Sequence, residues 1–430
     1  MNRMSVGVAA LLVAGFAGGC TNRSGLHSGG GKADAGRGGA GGQGTGAAGS
    51  SAPGETGGAI QTGGTVVDLA ANRSDGATSS DTASSATTDV PVGNATVLAS
   101  GQPGPDAIAI DATNVYWFNL GTNNSVGKTF GGYSDGQVLK CAKSGCSGLP
   151  TVLASGRQQG GVAAPLAFAT DGVNVYWSDD GTSPLSDPAR QAGGLLKCSV
   201  NGCDNNPLTI GPDQAWALAV AGTNVYWTDF AADIFTCPIA GCDTAAKALW
   251  SAGNSPVSLG IAVDATSVYW STEATAGIMK CAVAGCNNAP TQIMSAPVPA
   301  MNQIALDADN VYFVEYNPLG FGEVFACAKT GCADHPLALA TGLNSPTAIA
   351  TDGVSVYWTE ISSSDPGANL VPWPGAGVVR KCSVNGCNNT PTTLASGLND
   401  PVAIAVDDGY VYWAEGGAAV SDGRITSLPK

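Results

Sequence analysis

The residues best suited to bind a metal or to react are twelve cysteines that recur in pairs of the form C-x-x-x-x-C, as in "KCAKSGC". Thiols at this spacing could hold a metal ion, carry out redox exchange or form a disulfide. Zinc usually takes four ligands, but each pair falls in a different repeat and the chain has only two histidines, His27 and His335. The C-x-x-C spacing of thioredoxin-like redox sites is absent.

The cysteine pairs are therefore predicted to be structural disulfides, as expected for regularly placed cysteines in an exported protein. The predicted bonds are Cys141–Cys146, Cys198–Cys203, Cys237–Cys242, Cys281–Cys286, Cys327–Cys332 and Cys382–Cys387. A glycine precedes the second cysteine of every pair, which fits a tight loop that needs a positive φ. We expect each pair to face across the hairpin between the third and fourth strands of a repeat.

A second motif, "VYW" or "VYF", indicates the β-strands that position these pairs. Its tyrosines are Tyr116, Tyr176, Tyr226, Tyr269, Tyr312, Tyr357 and Tyr412. Repeats of 43 to 60 residues, built from short β-forming runs bounded by Pro, Gly, Asn or Asp, are typical of propeller blades. The sequence thus predicts an all-β protein, a β-propeller of seven four-stranded blades.

The two ends of the repeat array predict how the ring closes. The seventh repeat stops at Lys430 without a fourth strand, while "ATVLASG" (95–101) stands alone before the first repeat. An N-terminal strand that completes the last blade would leave no exposed sheet edge.

The motif "VYWTD" (225–229), with its variants "VYWSD" (175–179) and "VYWTE" (356–360), resembles the YWTD propellers of the low-density lipoprotein receptor group. The surrounding "AIAVD" and "LASGL" segments are also similar to blades of that family. The resemblance covers the whole repeat region and implies a ligand-binding scaffold. Propellers of those receptors have six blades and lack the paired cysteines, so six or eight blades are the alternatives to seven.

The N-terminal part of the chain has a different composition. Residues 1–20 resemble a lipoprotein signal peptide that ends in "AGGC", with Cys20 as the acylated residue; an ordinary cleaved signal peptide is the alternative. Residues 21–94 are predicted to be a disordered Gly/Ala/Ser-rich tether, and residues 95–430 form the propeller. By resemblance, Thr21 after the cysteine indicates an outer-membrane lipoprotein, facing the periplasm or the cell surface.

A net charge of −15 argues against nucleic acid as a partner, because nucleic acids require a basic footprint. An acyl chain is the only membrane contact that the sequence supports. We expect a monomeric propeller without a resident cofactor, although a cation at the mouth of the propeller is compatible with this charge.

Carboxylates occupy one equivalent position in most repeats, two residues after the repeated Trp or Phe. They are Asp179, Asp229, Glu315, Glu360 and Glu415, and Asp180 follows the first of them. One hypothesis is an acidic ring that binds a cation or a basic ligand. The alternative, which we favour, is a repeated structural hydrogen bond, since buried carboxylates normally have partners.

The segment between the repeated Trp and the first cysteine is long in repeats one, two and six and short in three, four and five. These long loops should leave one face, and blades 6, 7, 1 and 2 are neighbours in a closed ring. Phe130, Tyr133 and Trp373 lie in the loops, and Trp216 begins a first strand near them. They are predicted to contact a ligand or, equally, to cover their own loops.

The sequence therefore predicts a lipid-anchored binding scaffold for a protein or glycan ligand. The alternative functions are an enzyme that acts on polysaccharide or glycoconjugate through mouth carboxylates and a purely structural envelope component. No catalytic residue is assigned, because no G-x-S-x-G or H-E-x-x-H motif is present.

Overall fold

The computed structural model describes the repeat region with gaps. The described ranges are 94–122, 133–159, 167–181, 192–211, 215–229, 233–242, 246–251, 260–272, 277–295, 301–316, 321–361, 375–417 and 421–430. They contain 28 strands in seven four-stranded antiparallel sheets and no helix. Each sheet is one blade, and the first strand of each blade is its innermost.

The strands are numbered in chain order and grouped here by their place in the blade. The innermost strands are β2 (Pro105–Ile110), β6 (Phe168–Thr170), β10 (Ala217–Ala221), β14 (Ile261–Val263), β18 (Met301–Leu306), β22 (Pro346–Thr351) and β26 (Pro401–Val406). The second strands are β3 (Asn114–Asn119), β7 (Asn174–Gly181), β11 (Asn224–Thr228), β15 (Ser267–Thr272), β19 (Asn310–Tyr316), β23 (Ser355–Glu360) and β27 (Tyr410–Glu415).

The third strands are β4 (Tyr133–Ala142), β8 (Ala192–Ser199), β12 (Ile234–Pro238), β16 (Gly277–Ala282), β20 (Phe321–Ala328), β24 (Gly377–Ser383) and β28 (Gly423–Pro429). The outer strands are β5 (Thr151–Gln159), β9 (Leu208–Gly211), β13 (Lys247–Trp250), β17 (Thr291–Ser295), β21 (Leu337–Asn344), β25 (Thr392–Leu398) and, for blade 7, β1 (Thr96–Gln102).

The ring closes as predicted. The innermost strands of consecutive blades contact one another, and β26 of blade 7 contacts β2 of blade 1. Strand β1 pairs with β28 in antiparallel register, so the N-terminal strand supplies the fourth strand of blade 7. The prediction of seven four-stranded blades closed by this strand is confirmed.

The "VYW" motif forms the interfaces between blades. Adjacent residues of a strand point to opposite faces of the sheet, so the tyrosine of each blade faces the following blade and the tryptophan faces the preceding one. Tyr116 of blade 1 packs in one core cluster with Trp177 of blade 2, and both side chains are fully buried. Tyr176 and Trp227 repeat the arrangement at the next interface.

The "AIAVD" aspartates cap the turn between the first and second strands. Asp111 Oδ1 accepts hydrogen bonds from the backbone N–H groups of Thr113 and Asn114, both at 2.7 Å, and Oδ2 accepts one from the Tyr116 hydroxyl at 2.6 Å. Burial alone would raise the pKa of the Asp111 carboxyl, but these hydrogen bonds outweigh it and hold the pKa below its usual value. The same bonds recur at Asp171, Asp264, Asp307, Asp352 and Asp407.

All six cysteine pairs are disulfide-bonded, with Cα–Cα distances of 5.4 to 5.6 Å. The glycine before each second cysteine has a φ between 98° and 114°, as predicted. The expected position across two strands is wrong, because β4 pairs Lys140 with Thr151 and Cys146 lies in the connection. Each bond instead closes a compact turn that precedes the fourth strand.

These disulfide turns rest on the preceding blade, a contact that the sequence did not predict. Cys146 Sγ lies 3.4 Å from the carbonyl oxygen of Leu98 in blade 7, and Cys387 Sγ lies 3.4 Å from that of Leu339 in blade 5. Two residues after the second cysteine, Asn205 accepts a hydrogen bond from the backbone N–H of Ser155 in blade 1. The disulfide turn therefore joins neighbouring blades as well as its own strands.

Lysines make further contacts between blades on the face that carries the disulfide turns, which we call the clamp face. Lys143 of blade 1 pairs with Asp407 of blade 7 at 2.6 Å, and Lys329 of blade 5 pairs with Asp264 of blade 4 at 2.9 Å. Lys430, the last residue, pairs with Asp352 of blade 6 at 2.5 Å. Blade 7 has no disulfide, so the Lys430 pair serves as its link to blade 6 on this face.

Candidate functional site

The face opposite the clamp face carries the connections between the second and third strands, and we call it the loop face. In blades 1, 2 and 6 these connections run between the ends of β3 and β4, β7 and β8, and β23 and β24. The connections into each following blade emerge on this face too, because strands alternate in direction. Most of the residues in these loops lie outside the described ranges. Phe130 and Trp373 are among them.

Four other predicted contact residues have described backbones. Tyr133 begins β4, and Asp179 and Asp180 lie near the end of β7 on the loop face, but their side chains lie outside the described part. Trp216 is half-buried directly before β10, and its backbone N–H donates to the Thr228 carbonyl at 2.7 Å. Their predicted role in ligand contact stays a prediction.

Glu360, at the loop-face end of β23, is held by structural hydrogen bonds. Its side chain is 2 % exposed. Oε1 accepts a hydrogen bond from the Trp358 indole N–H at 2.9 Å and lies 3.4 Å from Arg380 Nε, while Oε2 accepts one from the backbone N–H of Asn344 at 3.1 Å. Burial raises the pKa of the Glu360 carboxyl, and these donors only partly offset that effect.

Glu415 repeats this pattern in blade 7. Oε1 accepts a hydrogen bond from the Trp413 indole at 3.2 Å, and Oε2 accepts one from the Asn399 backbone N–H at 3.1 Å. Asp229 is used differently, because its Oδ1 accepts a hydrogen bond from the backbone N–H of Asp233 and so caps the short loop of blade 3. These contacts are the structural hydrogen bonds that the sequence analysis weighed against a ligand site.

Replacing Glu360 with glutamine should lower the free energy of unfolding by about 1–3 kcal/mol, because one of its two acceptor oxygens becomes an N–H₂ donor that faces another donor. The matched control is Glu323→Gln, since the half-buried Glu323 side chain makes no hydrogen bond among the described residues and lies beside the like charge of Glu315. Urea denaturation of the two variants checks the prediction. Equal stabilities would show that the hydrogen bonds of Glu360 contribute nothing.

Glu315 differs from Glu360 and Glu415 because blade 5 has Phe313 in place of the tryptophan. Without an indole N–H, neither oxygen of the half-buried Glu315 has a hydrogen-bond donor among the described residues. Glu323 pairs with it across β19 and β20. Burial and the Glu323 charge raise the pKa of Glu315 to about 7. Of the predicted carboxylates with described side chains, Glu315 is thus the one that remains available to a ligand.

A polar network that the sequence analysis missed joins blades 7 and 1. The side-chain oxygen of Gln102, at the end of β1, accepts hydrogen bonds from the Trp117 indole at 3.1 Å and from Asn119 Nδ2 at 3.0 Å. Gln102 therefore supplies to Trp117 the acceptor that Glu360 supplies to Trp358.

A second missed feature is a pair of carboxyl groups at the same junction. Asp106 lies in the innermost strand β2 and is 7 % exposed. Asp400 directly precedes β26 of blade 7. Burial and the charge of Asp400 raise the pKa of Asp106 to about 7, and burial raises the pKa of Asp400 to about 6. One signal could have revealed Asp106, because it interrupts the otherwise apolar run "PDAIAI" of a fully buried strand.

Two negative findings apply to the described ranges. They contain no group of three or more His, Cys, Asp or Glu side chains placed to hold a metal ion. They also contain no helix long and apolar enough to cross a bilayer. The six disulfides are typical of an exported or extracellular protein.

No family model matches the sequence, and no curated protein matches it. Among solved structures, a streptogramin B lyase is 13 % identical, with a TM-score of 0.50, over 77 % of this chain and 96 % of that one. That likeness shows the fold alone. The computationally designed protein Ika8 is 13 % identical, with a TM-score of 0.47, over 77 % and 98 %. A nidogen/laminin complex is 22 % identical, with a TM-score of 0.35, over 45 % of this chain and 70 % of that one.

Proposed function

We propose that the protein is a lipid-anchored, extracytoplasmic binding scaffold, and that its loop face binds a protein or glycan ligand through blades 6, 7, 1 and 2. The observation that carries this proposal is the difference between the two faces. The clamp face is occupied by disulfide turns and by ion pairs such as Lys143–Asp407. The long connections all enter the opposite face from adjacent blades, and loops on a rigid frame commonly carry binding function.

The proposal extends to the family and the location of the chain. The "VYW" motif and its buried tyrosine and tryptophan support a divergent relationship to the YWTD propellers. The N-terminal pattern around Cys20 supports acylation and an outer-membrane location, with the propeller as a monomer. A Cys20→Ser variant should lose metabolic labelling by a palmitate analogue and appear in the soluble envelope fraction. Continued labelling of that variant would contradict the anchor.

Ligand binding is tested by replacing residues 123–132 and 362–374 with short Gly-Ser connections in the full-length protein. The matched control replaces residues 317–320 in blade 5. This segment is on the same face but outside the proposed binding surface of blades 6, 7, 1 and 2. We expect the wild type and the control to bind the same members of a glycan array and a displayed peptide library, and the loop variant to lose them. Retained binding by the loop variant would contradict the proposed site.

The same glycan panel separates binding from catalysis. A scaffold leaves the glycans intact, whereas an enzyme releases shorter products. Product release by the wild type that is lost in Glu315→Gln would replace the scaffold with the enzyme alternative, because the carboxyl of Glu315 has the raised pKa that a general acid needs.

A further inference from the structure

We propose that Asp106 and Asp400 bind one calcium ion at the junction of blades 1 and 7. The two residues lie on the innermost part of adjacent blades, because Asp106 is in β2 and Asp400 directly precedes β26. Strands β2 and β26 contact each other and both begin at the loop face. The two carboxylates are also close enough for the charge of Asp400 to act on Asp106.

Neither carboxylate has the partners that buried acids normally have. Asp106 is more than nine-tenths buried, and neither its oxygens nor those of Asp400 have a side-chain hydrogen bond or ion pair among the described contacts. Asp400 Oδ1 is fully buried and unpartnered. The nearest equivalents in other blades show the contrast, since Thr347 of β22 bonds to the Thr359 hydroxyl at 2.8 Å and Val402 of β26 is apolar.

Among the described residues, the nearby cations do not compensate this pair of charges. Arg424, on the third strand of blade 7, is directed to Glu415 at 3.7 Å, and Lys143 is engaged with Asp407 on the clamp face. A buried ionised carboxylate without a partner costs several kcal/mol, on the order of the effective desolvation penalty per ion. A proton shared between the two acids would require a hydrogen bond between them, and none is present. A bound cation removes the cost for both groups at once.

The backbone near Asp400 is shaped to leave its carboxylate room. Gly416 donates its N–H to the Asp400 carbonyl at 2.8 Å. A Cβ on Gly416 would lie 2.9 Å from Asp400 Oδ2, closer than side chains normally approach. The glycine thus keeps that oxygen open.

Calcium fits these groups better than other common cations. It takes oxygen ligands only, combines a few carboxylates with backbone carbonyls and waters, and tolerates irregular geometry. Magnesium demands a near-ideal octahedron, and zinc favours nitrogen and sulfur. A site with two carboxylates corresponds to the weak extracellular class, with a Kd on the order of 10⁻⁴ to 10⁻³ M. Asp106 and Asp400 lie outside the segments that are replaced in the ligand-binding test, so the two proposals are tested separately.

The test is isothermal titration of chelator-treated full-length protein with CaCl₂, and separately with MgCl₂. We expect one calcium site in the wild type, at least about tenfold weaker calcium binding in Asp106→Asn and Asp400→Asn, and weaker binding of magnesium. Glu323→Gln on the same face and Asp408→Asn in an exposed turn are the matched controls, and both should bind calcium as the wild type does.

Thermal unfolding gives a second readout. Calcium should raise the Tm of the wild type and of both controls, and leave that of Asp400→Asn unchanged. If Asp106→Asn fails to fold, Asp400→Asn decides the result. The proposal is overturned if the wild type binds no calcium at 10 mM, a test concentration about ten times the weakest expected Kd. Wild-type affinity in Asp400→Asn, or equal losses in the controls, would overturn it too.

Discussion

Deleting residues 94–102 should leave a chain that is already unfolded at 25 °C. It should therefore show no cooperative transition on heating. The deletion removes β1, the outer strand of blade 7, and exposes β28 as an unpaired edge. It also removes Leu98 and Ala99 from the core cluster that joins blades 6, 7 and 1. Loss of a buried leucine alone costs about 2–5 kcal/mol.

The deletion acts on blade 1 as well as blade 7. Without Gln102, the buried Trp117 indole and Asn119 amide lose their shared acceptor, and each unsatisfied group costs about 1–3 kcal/mol. The disulfide Cys141–Cys146 of blade 1 also loses the Leu98 carbonyl on which it rests. The sum is comparable with the whole stability of a typical domain, about 5–15 kcal/mol.

Circular dichroism during thermal unfolding, with size-exclusion chromatography, measures this outcome. A deletion of residues 21–90 is the length control and should unfold like the wild type. A circular permutant that carries residues 95–102 after Lys430 separates the strand from its position in the chain, and it should recover the transition. A wild-type Tm after deletion of 94–102 would show that the ring closes without β1.

The repeated features of this protein could be predicted from its sequence because each one occurs six or seven times. Seven "VYW" or "VYF" segments indicate the number of blades, and the unpaired strand segment 95–101 before the first repeat indicates how the ring closes. The six disulfides follow from the same repetition. Contacts between blades could not be predicted from the sequence. Lys143 and Asp407, for example, are distant in the chain, and no repeated pattern indicates that they pair.

The other features that were not predicted arise where one repeat differs from the others at a single residue. For the three glutamates after the motif, the role of the carboxylate depends on the residue two positions earlier, because Trp358 donates to Glu360 and Trp413 to Glu415, whereas Phe313 cannot donate to Glu315. The exception was visible as "VYF" among "VYW", but its consequence requires knowing where the indole N–H points. Asp106 was missed for the same reason, since its lack of a partner is a property of packing.

Replacing all six cysteine pairs with serine should destabilise the propeller by several kcal/mol and bring it near the limit of folding. Each bond closes a very small loop, for which the chain-entropy model gives about 2 kcal/mol. Six such contributions would total about 12 kcal/mol if they were additive. The bonds are spread over blades 1 to 6, so no single blade carries the loss.

The pairs should also be energetically coupled, because each disulfide turn rests on the outer strand of the preceding blade. Loosening the Cys198–Cys203 turn therefore weakens the contact with Leu153 of blade 1 and the Asn205–Ser155 hydrogen bond. A contact shared by two neighbouring turns is lost only once, so we expect the loss in the six-pair variant to be smaller than the sum of the six single-pair losses, by about 0.5–3 kcal/mol per coupled pair.

Urea denaturation of the single-pair, double-pair and six-pair variants separates the two contributions. Adjacent double variants, such as those of blades 1 and 2, should show coupling, whereas pairs in blades 1 and 4 should be additive. Cys20→Ser is the control for thiol loss outside the propeller and should unfold like the wild type. Additive losses for every double variant would mean that the bonds only constrain the unfolded chain. Coupling confined to neighbours would show that the disulfides hold blades to one another, because only adjacent blades share a disulfide turn and its supporting strand.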